Sequence, residues 1–391
     1  MNDFKENGCW PNARQELLLR ACLLSGDEAI AAFETWKTQI DIERLGAGST
    51  RLLPLLRQNL LKNGYDDPLL ARCQSVARYT WLQNHLLFSR CSKTLAALHD
   101  AQIETMILKG AALSSVHYAD FSLRPMNDFD VLVPTKDFSR AVEVLAAQGW
   151  KPHAWRNADM FSENYFSYIH AHAFENEQGN FLDLHRHLLP QCCESDADDD
   201  FWSGATEVRV LDVPTRALCG ADQLLHVCIH GVRWEGGVHP LRWVADAMTI
   251  LRTSQIDWTR LVKQAKQRHL QLAMHDALSY LIKTLGAEVP NETVETLRNT
   301  LASPLQRLEY EAWTRAPETY GPMMKAWLRY RWFARWENHS GKSDLQNFIF
   351  YLKHVWKLRS SWHIPSYAWA QGVRQIRAWS RNAASRMKNA K

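Results

Sequence analysis

Three aspartates in the middle of the chain are the residues whose type and spacing most directly suggest chemistry. Asp128 and Asp130 fall in the segment DFDVLV at 128–133, whose alternating pattern is typical of a β-strand. Because side chains alternate between the two faces of a strand, residues two apart point to the same side. Asp183 lies in a second strand-like segment, FLDLH. If the two strands pair, the three carboxylates converge.

The charge of such a cluster indicates a metal site. Carboxylates held close together in a partly dry site repel each other strongly. A divalent cation that bridges them makes the arrangement favourable, and Mg²⁺ prefers oxygen ligands of this kind. Two metal ions about 4 Å apart stabilise the attacking and leaving oxygens of an in-line phosphoryl displacement. The three aspartates therefore predict a site with two Mg²⁺ ions for phosphoryl transfer.

The segment upstream of these acids predicts a binding site for phosphate groups. Leu108, Lys109 and Gly110 read as a turn between a short strand and a helix that begins near Ala111. A glycine there lets the backbone approach a phosphate closely, and the N-terminus of the helix offers free N–H groups to it. Lys109 supplies one positive charge and Arg124 a second. We expect Lys109, Gly110 and Arg124 to hold the triphosphate of an NTP.

Taken together, these segments resemble the uncharacterised nucleotidyltransferase family of the DNA polymerase β-like nucleotidyltransferase superfamily. The resemblance spans roughly residues 100–255, and its most specific part is the segment 108–134. It continues through FLDLH at 181–185 and through two helical segments, LLHVCIHG from Leu224 and LRWVAD from Leu241.

The resemblance implies a minimal nucleotidyltransferase fold with Asp128 and Asp130 as paired metal ligands and Asp183 as the third acid. The wider superfamily usually places Gly or Ser after the turn glycine, whereas this chain has Ala111. Lys109 and backbone N–H groups would then hold the phosphates without help from a hydroxyl group.

The pattern along the chain predicts an α+β protein: a polymerase-β-like nucleotidyltransferase core, made of a small mixed sheet with flanking helices, lies between N-terminal and C-terminal helical regions. Gly179 predicts a hairpin turn before the FLDLH strand, and the chain reads as helical from Pro214 onward. The expected domains are an N-terminal helical region at 1–100, the core at 101–212, a helical region packed on the core at 213–310, and a Trp-rich basic helical region at 311–391.

Composition indicates a cytoplasmic globular protein. The apolar fraction is 46% and the charged fraction 23%, which argues against disorder. The eight cysteines are scattered and form no C-x-x-C pair, a usage typical of reduced thiols. The first fifteen residues lack a signal-peptide pattern, and no run of about 18 apolar residues predicts a transmembrane helix.

The histidines carry weaker signals. His226 and His230 lie four apart on a predicted helix, and with His239 they could bind Zn²⁺; core or substrate-facing roles are the preferred interpretation. Four further histidines form two H-x-H pairs on strand-like segments, and one of them could lie near the metals: His170, His172, His185 and His187.

The C-terminal region is rich in tryptophan and basic. Residues 351–391 contain nine Lys or Arg and no Asp or Glu. The preferred interpretation is that the indole rings fill contacts between helices. An anionic membrane surface and nucleic acid, the latter less favoured, remain alternative partners. The tryptophans concerned are Trp313, Trp327, Trp332, Trp336, Trp356, Trp362, Trp369 and Trp379.

The leading hypothesis is a Mg²⁺-dependent nucleotidyltransferase that moves a nucleoside monophosphate from an NTP to a hydroxyl or phosphate acceptor. One alternative is a non-catalytic accessory or scaffold protein in a polysaccharide or peptide-modification system, associated peripherally with the inner face of the membrane. Another is transfer of a different phosphoryl-linked group, such as a sugar. The sequence leaves the acceptor, the base of the NTP and the oligomeric state open.

Overall fold

The computed structural model describes residues 9–153, 163–233, 241–315, 320–334 and 343–389. His239 and Trp336, both singled out from the sequence, lie outside these residues.

Along the chain, helices precede the first strand, lie between the strands and follow the last strand. Before the first strand lie α1 Ala13–Leu23, α2 Gly26–Lys37, α3 Ala47–Thr50, α4 Leu53–Lys62 and α5 Leu69–Asp100. Between strands lie α6 Lys109–Val116, α7 Phe138–Ala147, α8 Glu163–Phe166 and α9 Asp199–Ser203. After the last strand lie α10 Gly220–Gly231, α11 Arg242–Thr253, α12 Trp258–Gln267, α13 Gln271–Leu285, α14 Asn291–Asn299, α15 Pro304–Thr314, α16 Pro322–Ala334, α17 Asp344–Val355 and α18 Ile364–Asn389.

The described strands form one mixed seven-stranded sheet in the order β3-β4-β5-β2-β1-β7-β6. Their bounds are β1 Met106–Ile107, β2 Asp128–Leu132, β3 Lys151–Pro152, β4 Ala171–Glu175, β5 Phe181–His185, β6 Thr206–Val210 and β7 Val213–Ala217. Strand β2 lies near the centre, parallel to β5 and antiparallel to β1. The mixed α+β class expected from the sequence is therefore confirmed.

The two faces of the sheet enter different hydrophobic cores. On β2, Phe129 and Val131 are fully buried and pack with Phe88 of α5 and Phe138 of α7. Leu132 points to the opposite face and joins a second core that includes residues of α1, α10 and α11. Because the side chains of β2 alternate, burying Phe129 and Val131 on one face places Asp128 and Asp130 on the other.

The predicted helical structure from Pro214 onward was wrong for its first residues. Residues Val213–Ala217 form strand β7, which pairs with β6 and, through Arg216 and Ala217 only, with β1. Pro214 lies beyond the short strand β1, where its missing N–H removes no hydrogen bond to that neighbour. The sheet consequently extends to residue 217.

The C-terminal helices carry tryptophans in two different environments. Trp332 is buried and its ring centroid lies 4.8 Å from that of Trp313, as expected for contacts between helices. Trp362 and Trp369, in contrast, are 91% and 77% exposed. None of the described helices has both the length and the apolar character that crossing a bilayer requires.

Candidate functional site

The parallel pairing of β2 with β5 brings two of the predicted acids face to face. In this register Asp130 is the partner of Asp183, and Asp128 is the partner of Phe181. Asp128, Asp130 and Asp183 all line one cavity of about 500 Å³, named here the acidic cavity. The convergence expected from the sequence is thus present in the tertiary structure.

Among the residues that the structure describes, Asp130, Asp183 and His185 form a close group of potential metal ligands. Each offers one ligand atom, and these atoms all lie within 4.8 Å of one another. Asp130 is almost fully buried, and its Oδ1 lies 2.5 Å from Nζ of Lys109 and 3.0 Å from Nε2 of His185. Asp128 lies on the same face of β2, at the more accessible end of the strand.

The pKa values of the three acids are shifted in different directions, down for Asp130 and up for Asp128 and Asp183. Burial and, to a smaller extent, the negative charge of Asp130 together raise the pKa of Asp183 to about 6. Burial and Asp130 also raise the pKa of Asp128. Although burial opposes ionisation of Asp130, the charge of Lys109 and the hydrogen bond with His185 hold its pKa well below the usual range. One acid is satisfied, while two retain unfavourable charge that a cation would stabilise.

Lys109 and Gly110 form the first turn of α6, at the edge of the acidic cavity. Lys109 has a φ of 43°, an uncommon left-handed conformation for a residue other than glycine. A Cβ added to Gly110 would lie 2.5 Å from both Nη1 of Arg124 and Sδ of Met126. A larger residue here would have to displace two side chains of this chain, a constraint that the sequence did not reveal.

Arg124 also lines the acidic cavity, but it already has a carboxylate partner. Its Nε and Nη2 atoms donate to the two oxygens of Asp246, at 2.9 and 2.8 Å, and both side chains are only 6% exposed. The hydroxyl of Tyr118 donates to the same carboxylate at 2.8 Å. An arginine has five N–H donors, so Arg124 retains donors that this pair does not use.

A comparison with protein families identifies the chain. The model of a family described as uncharacterised nucleotidyltransferase matches residues 46–286, which is more than half of the chain. The chain belongs to the uncharacterised nucleotidyltransferase family. The match contains the whole region from the first cavity-lining helix to α13, including all three predicted acids.

Comparisons with individual proteins add little to this. No curated protein matches the chain. Among solved structures, the antigenic nucleotidyltransferase-like protein from Paracoccidioides brasiliensis is 12% identical, with a TM-score of 0.35. That match covers 56% of this chain and 94% of the other one.

Two further arginines of this nucleotidyltransferase family member line the acidic cavity and were missed from the sequence. Arg51 follows α3, and Arg242 begins α11. Burial lowers the pKa of Arg242 to about 10, and the nearby positive charge of Arg124 acts in the same direction. The LRWVAD segment that supported the family resemblance contains both Arg242 and Asp246, so a signal was present, although the sequence did not show where they lie.

The histidines lie around the same site. His185 contacts Asp130, which confirms that one of the H-x-H residues lies beside the acids. His226 and His230 of α10 line the acidic cavity, with ring centroids 6.3 Å apart. Neither belongs to a group of three potential metal ligands among the described residues, and His239 lies outside those residues. His226 is buried as well as lining the cavity, so whether these histidines have a core or a substrate-facing role stays a prediction.

Proposed function

We propose that this protein is a Mg²⁺-dependent nucleotidyltransferase with a polymerase-β-like core. It would transfer a nucleoside monophosphate from an NTP to a hydroxyl or phosphate acceptor and release pyrophosphate. The observation that carries the proposal is the parallel register that sets Asp130 opposite Asp183, with Asp128 on the same face. Membership of the family supports the reaction class.

The donor set fits Mg²⁺. Three carboxylates supply hard oxygen ligands, and the raised pKa values of Asp128 and Asp183 support a site that gains from added positive charge. Asp128 and Asp130 would be the paired ligands of the two ions, and Asp183 would be the third acidic ligand. When bound, the ions activate the acceptor oxygen and offset the charge of the leaving group.

The remaining residues of the acidic cavity would position the triphosphate. Lys109 would exchange its contact with Asp130 for a phosphate oxygen, since Asp130 then has a metal as its partner. Backbone N–H groups of the first turn of α6, including that of Gly110, would donate to the phosphates. Arg124 and Arg242 would supply further positive charge from the cavity wall.

Ligand-dependent stabilisation provides a direct test. The thermal midpoint is measured with each of the four NTPs, with and without Mg²⁺, in the wild type and in an Asp128→Asn/Asp130→Asn variant. Ligand at a hundred times its dissociation constant adds about 2.7 kcal/mol of stability, which is a shift of a few degrees for a protein of this size. A Mg²⁺-dependent shift that disappears in the variant is expected. If none of the NTPs produced a shift, the accessory or scaffold function would take its place.

The exposed face of the C-terminal region supports a docking role alongside catalysis. Trp369 and Ile376, seven residues apart on α18, are 77% and 64% exposed, and Trp362 just before the helix is 91% exposed. Arg374 is exposed on the same helix, and residues 351–391 contain no acid. Exposed indoles beside cations are typical of binding to anionic membrane surfaces. We propose that this face, Trp362, Trp369 and Ile376, rests on an anionic bilayer.

Sedimentation with vesicles tests this surface. We expect binding to vesicles that contain phosphatidylserine and weaker binding to purely zwitterionic ones. A Trp362→Ser/Trp369→Ser variant should lose most of the binding. Substitution of the buried Trp332 is unsuitable as a control, because it would disturb the core. The matched control is Trp81→Ser, at an exposed position of α5. Equal sedimentation of the two variants would contradict the proposal.

A further inference from the structure

A second cavity adjoins the acidic cavity and lies between the sheet region and the C-terminal helices. It has a volume of about 260 Å³ and is named here the basic cavity. Its walls include Tyr168 and residues of α10, α16 and α17. The two cavities meet at a junction whose residues line both: Lys109, His170, Ala171, His185, His226 and His230.

The basic cavity differs from its neighbour in charge. Four of its lining residues are cations, Lys109, Arg233, Arg329 and Lys357, and among the described residues no Asp or Glu lines it. Burial lowers the pKa of His170 well below its ordinary value, and positive charges that include Lys109, Arg233 and Arg329 lower it further. A ligand that fills this space therefore meets a strongly positive environment.

Two of these cations, Arg233 and Arg329, lie over tryptophan rings of the C-terminal helices. The guanidinium of Arg233 lies 5.3 Å from the ring centroid of Trp313, and that of Arg329 lies 5.2 Å from the same ring. Arg233 also lies 5.5 Å from Trp332. Stacking on tryptophan orients a guanidinium without neutralising it. Part of the tryptophan content of the C-terminal region is explained by this arrangement.

The basic cavity also offers an apolar surface and one hydroxyl. Tyr168, Phe333 and Tyr351 line the cavity, and their rings contact one another. The hydroxyl of Tyr351 is buried and has no hydrogen-bond partner among the described residues. A buried hydroxyl without a partner is costly, so it is suited to donate to a ligand.

We infer that the basic cavity binds the acceptor of nucleotidyl transfer and that this acceptor carries a phosphate group, an inference that rests on the proposed function of the acidic cavity. The phosphate would be anchored by Arg233, Arg329 and Lys357, and a hydroxyl group of the same molecule would reach the acids through the junction. That hydroxyl oxygen forms a bond to the α-phosphorus of the NTP. The bond from the α-phosphorus to the bridging oxygen breaks, pyrophosphate leaves with its electron pair, and the hydroxyl proton is released to water.

The lining residues and the volumes of the two cavities indicate which cavity holds the NTP and which holds the acceptor. An NTP enters such a site with divalent ions, and the described carboxylates that can hold them line the acidic cavity and not the basic cavity. The acidic cavity is also the larger, at about 500 Å³ against about 260 Å³. The smaller cavity without acids suits a compact anion that binds without a metal.

Binding of matched probes tests the inference. Inorganic phosphate, glycerol 3-phosphate and glucose 1-phosphate are titrated by calorimetry into the whole protein without Mg²⁺ or NTP, beside neutral glycerol and glucose. We expect at least one phosphate-bearing probe to bind and both neutral probes to fail. An Arg329→Gln variant should weaken that binding at least about tenfold, because it removes a hydrogen bond between two charged groups.

The chain offers a closely matched control on the same helix. Arg331 also stacks on a tryptophan, at 5.0 Å from the ring centroid of Trp327, but it does not line the basic cavity. Arg331→Gln removes the same charge and should leave probe binding unchanged. Arg329→Lys keeps the charge and should retain most of the binding, which separates a loss of charge from a loss of folding.

Each outcome bears on one proposal. The acceptor inference is overturned if no phosphate probe binds, if neutral probes bind equally well, or if Arg329→Gln and Arg331→Gln behave alike. A Mg²⁺-dependent NTP shift in the same preparation would then leave the proposed function standing. Phosphate binding that depends on Arg329, in a protein that binds no NTP, would instead support the anion site and contradict its role as an acceptor site.

Discussion

Two buried pairs of opposite charge in the acidic cavity differ in how completely they are satisfied. Arg124 and Asp246 make a two-pronged contact, reinforced by Tyr118, and both are 6% exposed. Asp130 contacts Lys109 and His185 through a single oxygen, with Asp183 opposite it and Asp128 two residues away. Both oxygens of Asp246 are occupied by Arg124. Asp130, in contrast, belongs to a cluster of three carboxylates with fewer close cationic contacts.

The difference teaches how the same residue types can serve structure and chemistry within one cavity. A carboxylate whose lone pairs are used by a fixed guanidinium fork has little to offer a metal ion. A crowded carboxylate cluster gains from a divalent cation, and the ammonium of Lys109 is on a flexible stem that can move away. We therefore expect substitution of Asp246 to act mainly on stability and substitution of Asp130 mainly on activity.

The largest expected effect is the loss of stability in Asp246→Asn. Removing the charge of one partner of a buried ion pair costs about 3–5 kcal/mol, because the remaining charge is left uncompensated. Denaturant unfolding measures this cost. The control is Glu311→Gln, which removes an exposed ion pair with Arg315 and should cost less than about 1 kcal/mol. Similar losses of stability in the two variants would show that the buried Arg124–Asp246 pair does not stabilise the fold more than an exposed pair does.

The next effect is the loss of activity in Asp130→Asn. We expect pyrophosphate release from the NTP that binds to fall at least about a hundredfold, equivalent to about 2.7 kcal/mol, because metal ions contribute several kcal/mol to such transition states. Its stability should change less than that of Asp246→Asn, since the substitution also removes repulsion with Asp183.

An acid remote from the cluster provides the control for activity. Asp120 is exposed and accepts a hydrogen bond from the backbone N–H of Ser122. Asp120→Asn makes the same chemical change and should retain activity. Full activity in Asp130→Asn, or an equal loss in Asp120→Asn, would contradict the assignment of Asp130 to the reaction.

The smallest effect concerns pH. Burial, then the charges of Lys109 and His185, lower the pKa of His226 to about 3, whereas an unfolded histidine titrates near 6.5. Below pH 6.5 the unfolded chain binds a proton that the folded chain does not bind. The free energy of unfolding is therefore unaffected by this histidine above pH 6.5 and falls by about 1.4 kcal/mol per pH unit as the pH decreases toward 3. Over the range from pH 6.5 to 5 the wild type should lose about 2 kcal/mol through this group.

Denaturant unfolding of His226→Gln at several pH values isolates this effect, since all other groups are common to both proteins. The variant should show the flatter dependence. His117 lies on the Asp246 side, where burial also lowers its pKa but a hydrogen bond with Gln223 and the charge of Asp246 oppose the shift. His117→Gln should therefore flatten the curve less. If His117→Gln flattened the pH dependence of stability more than His226→Gln, this prediction would be contradicted.

Much of the candidate site was predictable from local pattern, and the failures have physical causes. Alternation in DFDVLV was enough to place Asp128 and Asp130 on one face, because Phe129 and Val131 had to be buried. Strand β7 was read as helix because its pairing with β1 and β6 is not visible in a window of neighbouring residues. Within the region read as helical from Pro214 onward, α12 and α13 are separated by His269 in a left-handed conformation.

The sequence by itself determined the residue types that can bind metal and phosphate, the family, and the face of β2 on which the acids lie. Periodicity and short motifs encode these features within a few residues. Only the tertiary structure decided that Asp183 faces Asp130, that Asp246 holds Arg124, and that Arg233 and Arg329 line a cavity without acids. Such contacts join segments that lie far apart in the chain, and their geometry follows from strand register and helix packing, which no local pattern specifies.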